Sequence, residues 1–337
     1  MHKPIKNFIT LFFMLAFAGA LGANCTSRVV KTSDEPAITL ADPTIFYHKG
    51  TYYLYGTGGD KQTNQGFVVY SSPDLKNWTD PVGASDGYAL KKGDAFGDRG
   101  FWAPQVFFYN NLFYMAYTAN EHIAIATSNS PLGPFEQQEK KPFIEQERNI
   151  DPFIFMDDDG KKYLYHVIVA NGGNRIFVAQ MKNDLSGILP QTLTKCIEAE
   201  TPWENIEKAE WSVTEGPTVI KQGELYFLIY SANDFRSINY GVGYAVSQSP
   251  LGPWKRHEGN PVLSKSQTGK NGSGHGDLFE DKEGNWSYVF HIHSSENKVA
   301  PRKTALVKAG FNAKRELIID AKSFYELQAK QENTETP

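Results

Sequence analysis

Residues 41–46 read ADPTIF and residues 150–155 read IDPFIF. An Asp-Pro pair backed by strand-forming residues therefore occurs twice, more than a hundred residues apart. Working outward from these stretches, five related segments emerge: ADPTIFYHKGTYYLYGT from Ala41, APQVFFYNNLFYMAYTA from Ala103, IDPFIFMDDDGKKYLYHV from Ile150, EGPTVIKQGELYFLIYSA from Glu215 and HGDLFEDKEGNWSYVFHI from His275. Each joins a short apolar run to a second run dense in aromatics through a polar turn with Gly or Asn. That is the pattern of a β-hairpin.

Two hairpins lead into nearly the same third element, IAIATSNSPLGPF from Ile123 and VGYAVSQSPLGPW from Val242. VVYSSPDLKNW from Val68 and FVAQMKNDL from Phe177 are looser versions. The unit is thus a four-stranded antiparallel sheet, the strand before the next hairpin being the fourth. Taking Asp42, Ala103, Asp151, Gly216 and Gly276 as anchors gives spacings of 61, 48, 65 and 60 residues, which suit propeller blades with loop insertions. Five copies fill residues 36–325, so the expected fold is all-β, a five-bladed β-propeller with no second domain. A two-sheet sandwich would leave five matched hairpins unexplained.

Of the 337 residues, 40% are hydrophobic and 13% aromatic, which suits a β-rich core and supplies flat apolar faces for sugar rings. A net charge of −4 argues against nucleic acid, because phosphate binding needs a basic face. The start, MHKPIKNFITLFFMLAFAGALGANC, has basic residues, an apolar stretch and then small residues. Residues 1–24 read as an export signal and 25–35 as a linker. Cys25 stands where a bacterial lipoprotein carries its lipidated cysteine, although Asn24 before it is atypical. Cleavage near Gly22 or Ala23 with a soluble periplasmic or secreted product is the alternative. The expectation is therefore a bacterial protein exported to the periplasm or lipid-anchored to the envelope. With Cys25 lipidated, Cys196 has no partner and no disulfide framework is expected. Residues 326–337 read as a disordered polar tail. A ring with protected edges needs no second copy, so a monomer is expected.

In a propeller the anchors converge at one end of the central channel. Three acids, Asp42, Asp151 and Glu215, then face a common axis with His275, while blade two contributes Ala103. Taken singly, an Asp before Pro is a turn residue bonding its own backbone. Three together raise one another's proton affinity and are costly unless a site uses them. Glycoside hydrolysis by inversion needs one ionised carboxylate to activate water and one protonated carboxyl to protonate the leaving oxygen. A third beside the acid would raise its pKa and orient it.

ADPTIFYHKGTYYLYGT, FWAPQVF, NIDPFIFMDDDGKKYLY, VTEGPTVIKQGELYFLIYS and GSGHGDLF resemble, in order, the blade motifs of glycoside hydrolase family 43. The resemblance spans nearly the whole mature chain. It implies inverting exo-hydrolysis that releases terminal α-L-arabinofuranose or β-D-xylose, or sometimes galactose, from plant polysaccharides or oligosaccharides. Carbohydrate is then the partner. By the same resemblance Asp42 is the general base, Asp151 the acid that tunes and orients its partner, and Glu215 the general acid. No cofactor is required for the reaction; His275, in GHG, is similar to the family histidine that helps hold a hydrated Ca²⁺ or other cation near the axis, a buried structural histidine being the alternative. Trp102 resembles an aromatic wall of the sugar subsite, and Arg302 a sugar-hydroxyl contact. A glycan-binding propeller without catalysis would have been favoured by loss of any of the three acids; all three are present.

Gln105 departs from the family, which often has Asp there, and Asp277 has no assigned role. DDDGKK at 157–162 lacks the ligands and closing Glu of a calcium loop and reads as a hairpin turn. His291 and His293 share a strand face, expected to be partly exposed. The loops at residues 60–65, 83–99 and 199–211 choose the sugar and carry no readable code.

Overall fold

The chain forms the expected hairpins and places them in a ring. A computed structural model describes residues 36–59 and 64–330. The leader, Cys25, the linker to residue 35 and residues 331–337 lie outside the described residues. In blade one, Ala41–His48 pairs with Thr51–Thr57, which pairs with Tyr70–Ser72. Blade two is built from Trp102–Tyr109, Leu112–Ala119 and His122–Ser128. Blade three has Asn149–Met156, Lys162–Ala170, Gly173–Gln180 and Thr194–Ile197. Blade four has Ser212–Gln222, Leu225–Ala232, Gly241–Ser247 and Lys255–Arg256. Blade five has Gly274–Glu280, Trp286–Ile292, Lys303–Phe311 and Leu317–Glu326. The third strand of blade one extends back to Gly66–Val68, which pairs with a fourth strand, Tyr88–Lys91, whereas in blade two the outermost strand shrinks to a single bridge, Thr127 with Glu136.

Local chemistry fixes the hairpins. Lys49-Gly50, Asn110-Asn111, Asn120-Glu121 and Asn171-Gly172 all have positive φ at both positions, which gives two-residue turns the twist of their flanking strands. DDDGKK is likewise a turn, with the Asp157 N–H donating to the Lys161 carbonyl. Asp157 also accepts bonds from Lys221 Nζ and Tyr226 Oη of blade four. The two Ser-Pro-Leu-Gly turns accept tyrosine hydroxyls from the preceding blade, Tyr55 on the Pro131 carbonyl and Tyr165 on that of Pro250.

Every innermost strand packs beside those of the blades before and after it, and that of blade five lies against that of blade one. The protein is therefore a five-bladed β-propeller. Successive residues of a strand point to opposite faces, so each second strand serves two interfaces. Leu164 packs between blades two and three, and Tyr165 between three and four. Phe227 packs between four and five, while Leu228 turns back to three. Five apolar clusters, one per interface, result. Most of the aromatic residues are used here, not in sugar contact.

Closure joins the two ends of the described chain. The Ile38 N–H donates to the Leu327 carbonyl, the Leu327 N–H to Thr304 and the Thr304 N–H to Ile38. Leu327 and Ala329 are buried with Ile38 and Leu40. The ordered chain thus runs past residue 325, because a closing segment has to be buried against blade one. Leu327→Ala is expected to cost about 2–5 kcal/mol in denaturant unfolding, whereas Leu193→Ala, 40% exposed, should change stability by less than about 0.5 kcal/mol. Equal costs would contradict this account of closure.

Candidate active site

One residue near the start of each innermost strand has a left-handed backbone: Asp42 (φ 47°), Ala103 (45°), Asp151 (55°), Gly216 (60°) and His275 (42°). A shift in pairing register accompanies each, the sign of a β-bulge. Pro follows in four blades, and a bulge tolerates its missing N–H. Two expectations are corrected. The fifth anchor is His275, not Gly276. The fourth is Gly216, and Glu215 stands one position earlier, in the tier of Trp102 and Ile150, which precede their anchors and line the same hollow. Blade four needs glycine at the anchor because a Cβ on Gly216 would fall 2.7 Å from the His275 ring.

The bulges leave five N–H groups to be satisfied in a buried place. In four cases the acceptor is on the second strand of the preceding blade. Thr57 Oγ1 accepts from Ala103 at 2.9 Å, Thr118 Oγ1 from Asp151 at 3.0 Å, Ser231 Oγ from His275 at 2.8 Å and His291 Nδ1 from Asp42 at 3.2 Å. These acceptors each pair opposite the residue before their own blade's anchor. In blade three that place holds Val167, opposite Ile150, which can accept nothing. The Gly216 N–H donates instead to Asp151 Oδ2 at 3.2 Å. An apolar residue in blade three thus leaves a donor free to orient a carboxylate.

The three acids are all buried but differ in surroundings. Asp42 Oδ1 accepts from Arg302 Nη1 at 3.0 Å and lies 3.3 Å from His275 Nδ1, and its Oδ2 accepts from Thr57 Oγ1 at 2.6 Å. Burial would raise its proton affinity, yet Arg302 foremost, with His275 beside it, holds the carboxyl well below its usual range. Asp151 and Glu215 go the other way. Burial pushes Asp151 well up, helped by the charges of Glu215 and Asp42. Burial pushes Glu215 up to about 7, with Asp42 adding to it, against hydrogen bonds donated by Tyr240 Oη (2.8 Å) and Asn174 Nδ2 (3.1 Å). Hence Asp42 is ionised while the Asp151–Glu215 pair retains a proton near neutral pH.

The hollow above these groups measures about 340 Å³. Trp102 forms a wall of it, and Arg302 lines it while also lying over the Phe235 ring, 4.6 Å from its centroid. His275 faces Asp42 and, at 3.9 Å, Asp151 Oδ2; burial lowers its pKa. Among the described residues no group of three or more His, Cys, Asp or Glu has the geometry to hold a metal ion. A cation at His275 would rest on one imidazole and water. His291 and His293 are buried, not partly exposed, because His291 supplies the acceptor for Asp42 and His293 Nε2 lies 2.9 Å from the Phe235 carbonyl. Gln105 bonds both the N–H and the carbonyl of Ile154 across blades. Asp277 accepts from Thr44 and Thr218, tying blade five to both neighbours, and burial pushes it up to about 6. Asn174 and Tyr240 escaped the sequence reading, because they come from strand ends outside the repeat motifs. Trp211, four residues before Glu215, entered it only as the end of the loop at residues 199–211, with no role of its own.

A propeller whose axis carries one ionised and one protonated carboxyl beneath an open hollow is the arrangement of a glycosidase. Comparison agrees: a profile of glycosyl hydrolases family 43 matches residues 36–316. A crystal structure of an endo-1,4-β-xylanase from Bacteroides thetaiotaomicron is 40% identical, covering 88% of this chain and 99% of that one with a TM-score of 0.81. A thermostable family-43 glycoside hydrolase is 34% identical with a TM-score of 0.76, covering 90% and 99%. A β-D-galactofuranosidase of Aspergillus niger is 24% identical over 307 residues, 82% of this chain and 81% of its own length. A xylan 1,3-β-xylosidase of a Vibrio species is 27% identical over 275 residues, 74% of this chain but only 47% of its own. The chain belongs to glycosyl hydrolases family 43.

Val167→Thr would supply the missing acceptor and compete for the Gly216 N–H. Loss of one hydrogen bond to a charged group should lower kcat about tenfold with KM little changed. Val167→Ala supplies no acceptor and should lower kcat less. Steady-state kinetics giving equal losses for the two would contradict the reading.

Proposed function

We propose that the protein is an inverting, exo-acting glycoside hydrolase that releases terminal α-L-arabinofuranose or β-D-xylose from plant polysaccharides or oligosaccharides. One observation carries this: in a single buried hollow Asp42 accepts from Arg302 Nη1 at 3.0 Å, which holds it ionised, while burial raises the proton affinity of the Asp151–Glu215 pair beside it. Asp42 takes a proton from water as the water attacks the anomeric carbon. Glu215 gives its proton to the departing glycosidic oxygen. Asp151, bonded to the Gly216 N–H beside Glu215, holds the backbone that carries the acid. Trp102 packs against the sugar, and Arg302, besides fixing Asp42, reaches its hydroxyls. A cation at His275 plays no part in these steps.

A hollow of about 340 Å³ is at the small end of ligand sites and suits a chain end better than a chain middle. The relatives hydrolyse different sugars, so α-L-arabinofuranose, β-D-xylose and galactose all belong in the assay. One feature favours cleavage within a chain instead. Beyond Trp102 a second hollow of about 260 Å³, lined by Asn64, Arg99, Asn120 and Glu121, could hold a further sugar. The export signal read at residues 1–24, with Cys25 after it, supports action in the periplasm or at the envelope through a lipid anchor, and a ring with protected edges supports a monomer.

The test uses 4-nitrophenyl α-L-arabinofuranoside, β-D-xylopyranoside and β-D-galactopyranoside, together with a xylo-oligosaccharide, on wild type and Glu215→Gln. Hydrolysis of one aryl glycoside, reduced about 10²–10⁴-fold by the substitution, is expected. Activity untouched by it would remove Glu215 from its role, and products longer than one sugar would favour the internal cleavage reading. Glu215 works only when protonated, so kcat/KM should fall as pH rises through about 7. Asp42 works only when ionised, and its lowered pKa puts the acid limb below the ordinary carboxyl range.

A further inference from the structure

Trp211 is 44% exposed, although it is among the largest apolar side chains of the protein, and it lines the catalytic hollow. Its one polar atom is nevertheless tied down. Nε1 donates to Asn174 Oδ1 at 3.1 Å, and Asn174 Nδ2 donates to Glu215 Oε2 at 3.1 Å. An indole N–H can only donate. It therefore decides which end of the Asn174 amide faces Glu215: the oxygen turns to Trp211 and the NH₂ to the carboxyl. The backbone supports the same arrangement, since Asn174 pairs in parallel with Val213 where blade three touches blade four, and its carbonyl accepts from Thr214 Oγ1.

The position has a chemical consequence that rests on the functional reading above. A proton leaving Glu215 goes to the oxygen that joins the terminal sugar to its neighbour. The neighbour must then lie beside Glu215, on the side away from Asp42. There the hollow offers the free face of Trp211, with Asp234 and Arg236, themselves joined by two side-chain hydrogen bonds and one from the Arg236 N–H, at its rim. A flat indole face covers the C–H face of a pyranose or furanose ring and removes apolar surface of both from water. We propose that Trp211 is the platform on which the leaving sugar stacks, and that through Asn174 it is also a positioning residue for the Glu215 carboxyl. The binding of the leaving sugar and the aim of the proton donor then depend on one side chain.

The experiment compares an oligosaccharide ending in the preferred sugar with the glycosyl fluoride of the same sugar and anomeric configuration. Fluoride is too small to reach Trp211 and departs with little help from an acid. In Trp211→Ala the ratio of kcat/KM for the oligosaccharide to that for the fluoride should fall about tenfold, a loss of about 1.4 kcal/mol. Trp211→Phe keeps a stacking face but no N–H, so it should hold KM for the oligosaccharide near the wild-type value. It should also share the pH shift of Asn174→Ala. A donor to a carboxylate favours the charged form, so losing or misaiming it moves the basic limb to higher pH. Asp42, Asp151, His275, Tyr240 and Asp234, the other titratable groups around Glu215, are the same in all variants. An unchanged ratio in Trp211→Ala would overturn the stacking role. A wild-type pH profile in Trp211→Phe, beside a shifted one in Asn174→Ala, would overturn the positioning role. A wild-type protein inactive on both substrates would overturn the functional reading itself, and this proposal with it.

Discussion

Each blade holds its first left-handed residue only because another group takes that residue's N–H. Turning the chain into positive φ at Asp42, Ala103, Asp151, Gly216 and His275 is unfavourable for most side chains, and it points a buried donor away from its own sheet. Four of these donors are received by Thr57, Thr118, Ser231 and His291 on neighbouring second strands. The ring is thereby stitched at the level where the chemistry takes place. The tier below repeats the device with side chains, Gln105 bridging to Ile154 and Asp277 to Thr44 and Thr218. A carboxylate on such a bulge cannot swing, which is what catalysis by positioned groups requires.

The break in that stitching is informative. Val167 leaves the Gly216 N–H for Asp151, so the fourth anchor spends its donor on an acid of the third. Gly216 itself has no side chain, which makes room for the His275 ring, and His275 in turn faces Asp42. The acid that departs from the five-fold pattern, Glu215, does so by one residue. That step lifts it into the tier of Trp102, away from Arg302, which keeps Asp42 ionised. Two carboxyls in one hollow thus acquire opposite protonation: Arg302 and His275 outweigh burial at Asp42, whereas at Glu215 burial outweighs the hydrogen bonds donated by Tyr240 and Asn174.

Much of this was legible in the sequence, for a physical reason. Hairpins depend on alternation and on turn residues such as Asn110-Asn111 and Lys49-Gly50, and both are local. The convergence of Asp42 and Asp151 followed from their equal places in a repeat. The tier of Glu215 was not legible, because EGP and ADP look alike until the bulge shows which residue takes the left-handed turn. Nor was closure: Leu327 sits in a polar stretch that reads as a tail, and only burial against Ile38 and Leu40 reveals it as structure. His291 looked like half of an exposed pair because strand periodicity cannot tell solvent from a neighbouring blade. Asn174 and Trp211 meet only where blades three and four touch, a contact between residues 37 apart with no pattern of its own.

The most direct measurement is the configuration of the first sugar released, followed by proton NMR of the anomeric signal in the first minutes of hydrolysis. Asp42 is proposed to act on water and Glu215 on the leaving oxygen from opposite sides of the sugar, which predicts inversion. A product that first appears with the configuration of the substrate would mean that a carboxylate had attacked the sugar itself. That result would contradict the division of labour between Asp42 and Glu215.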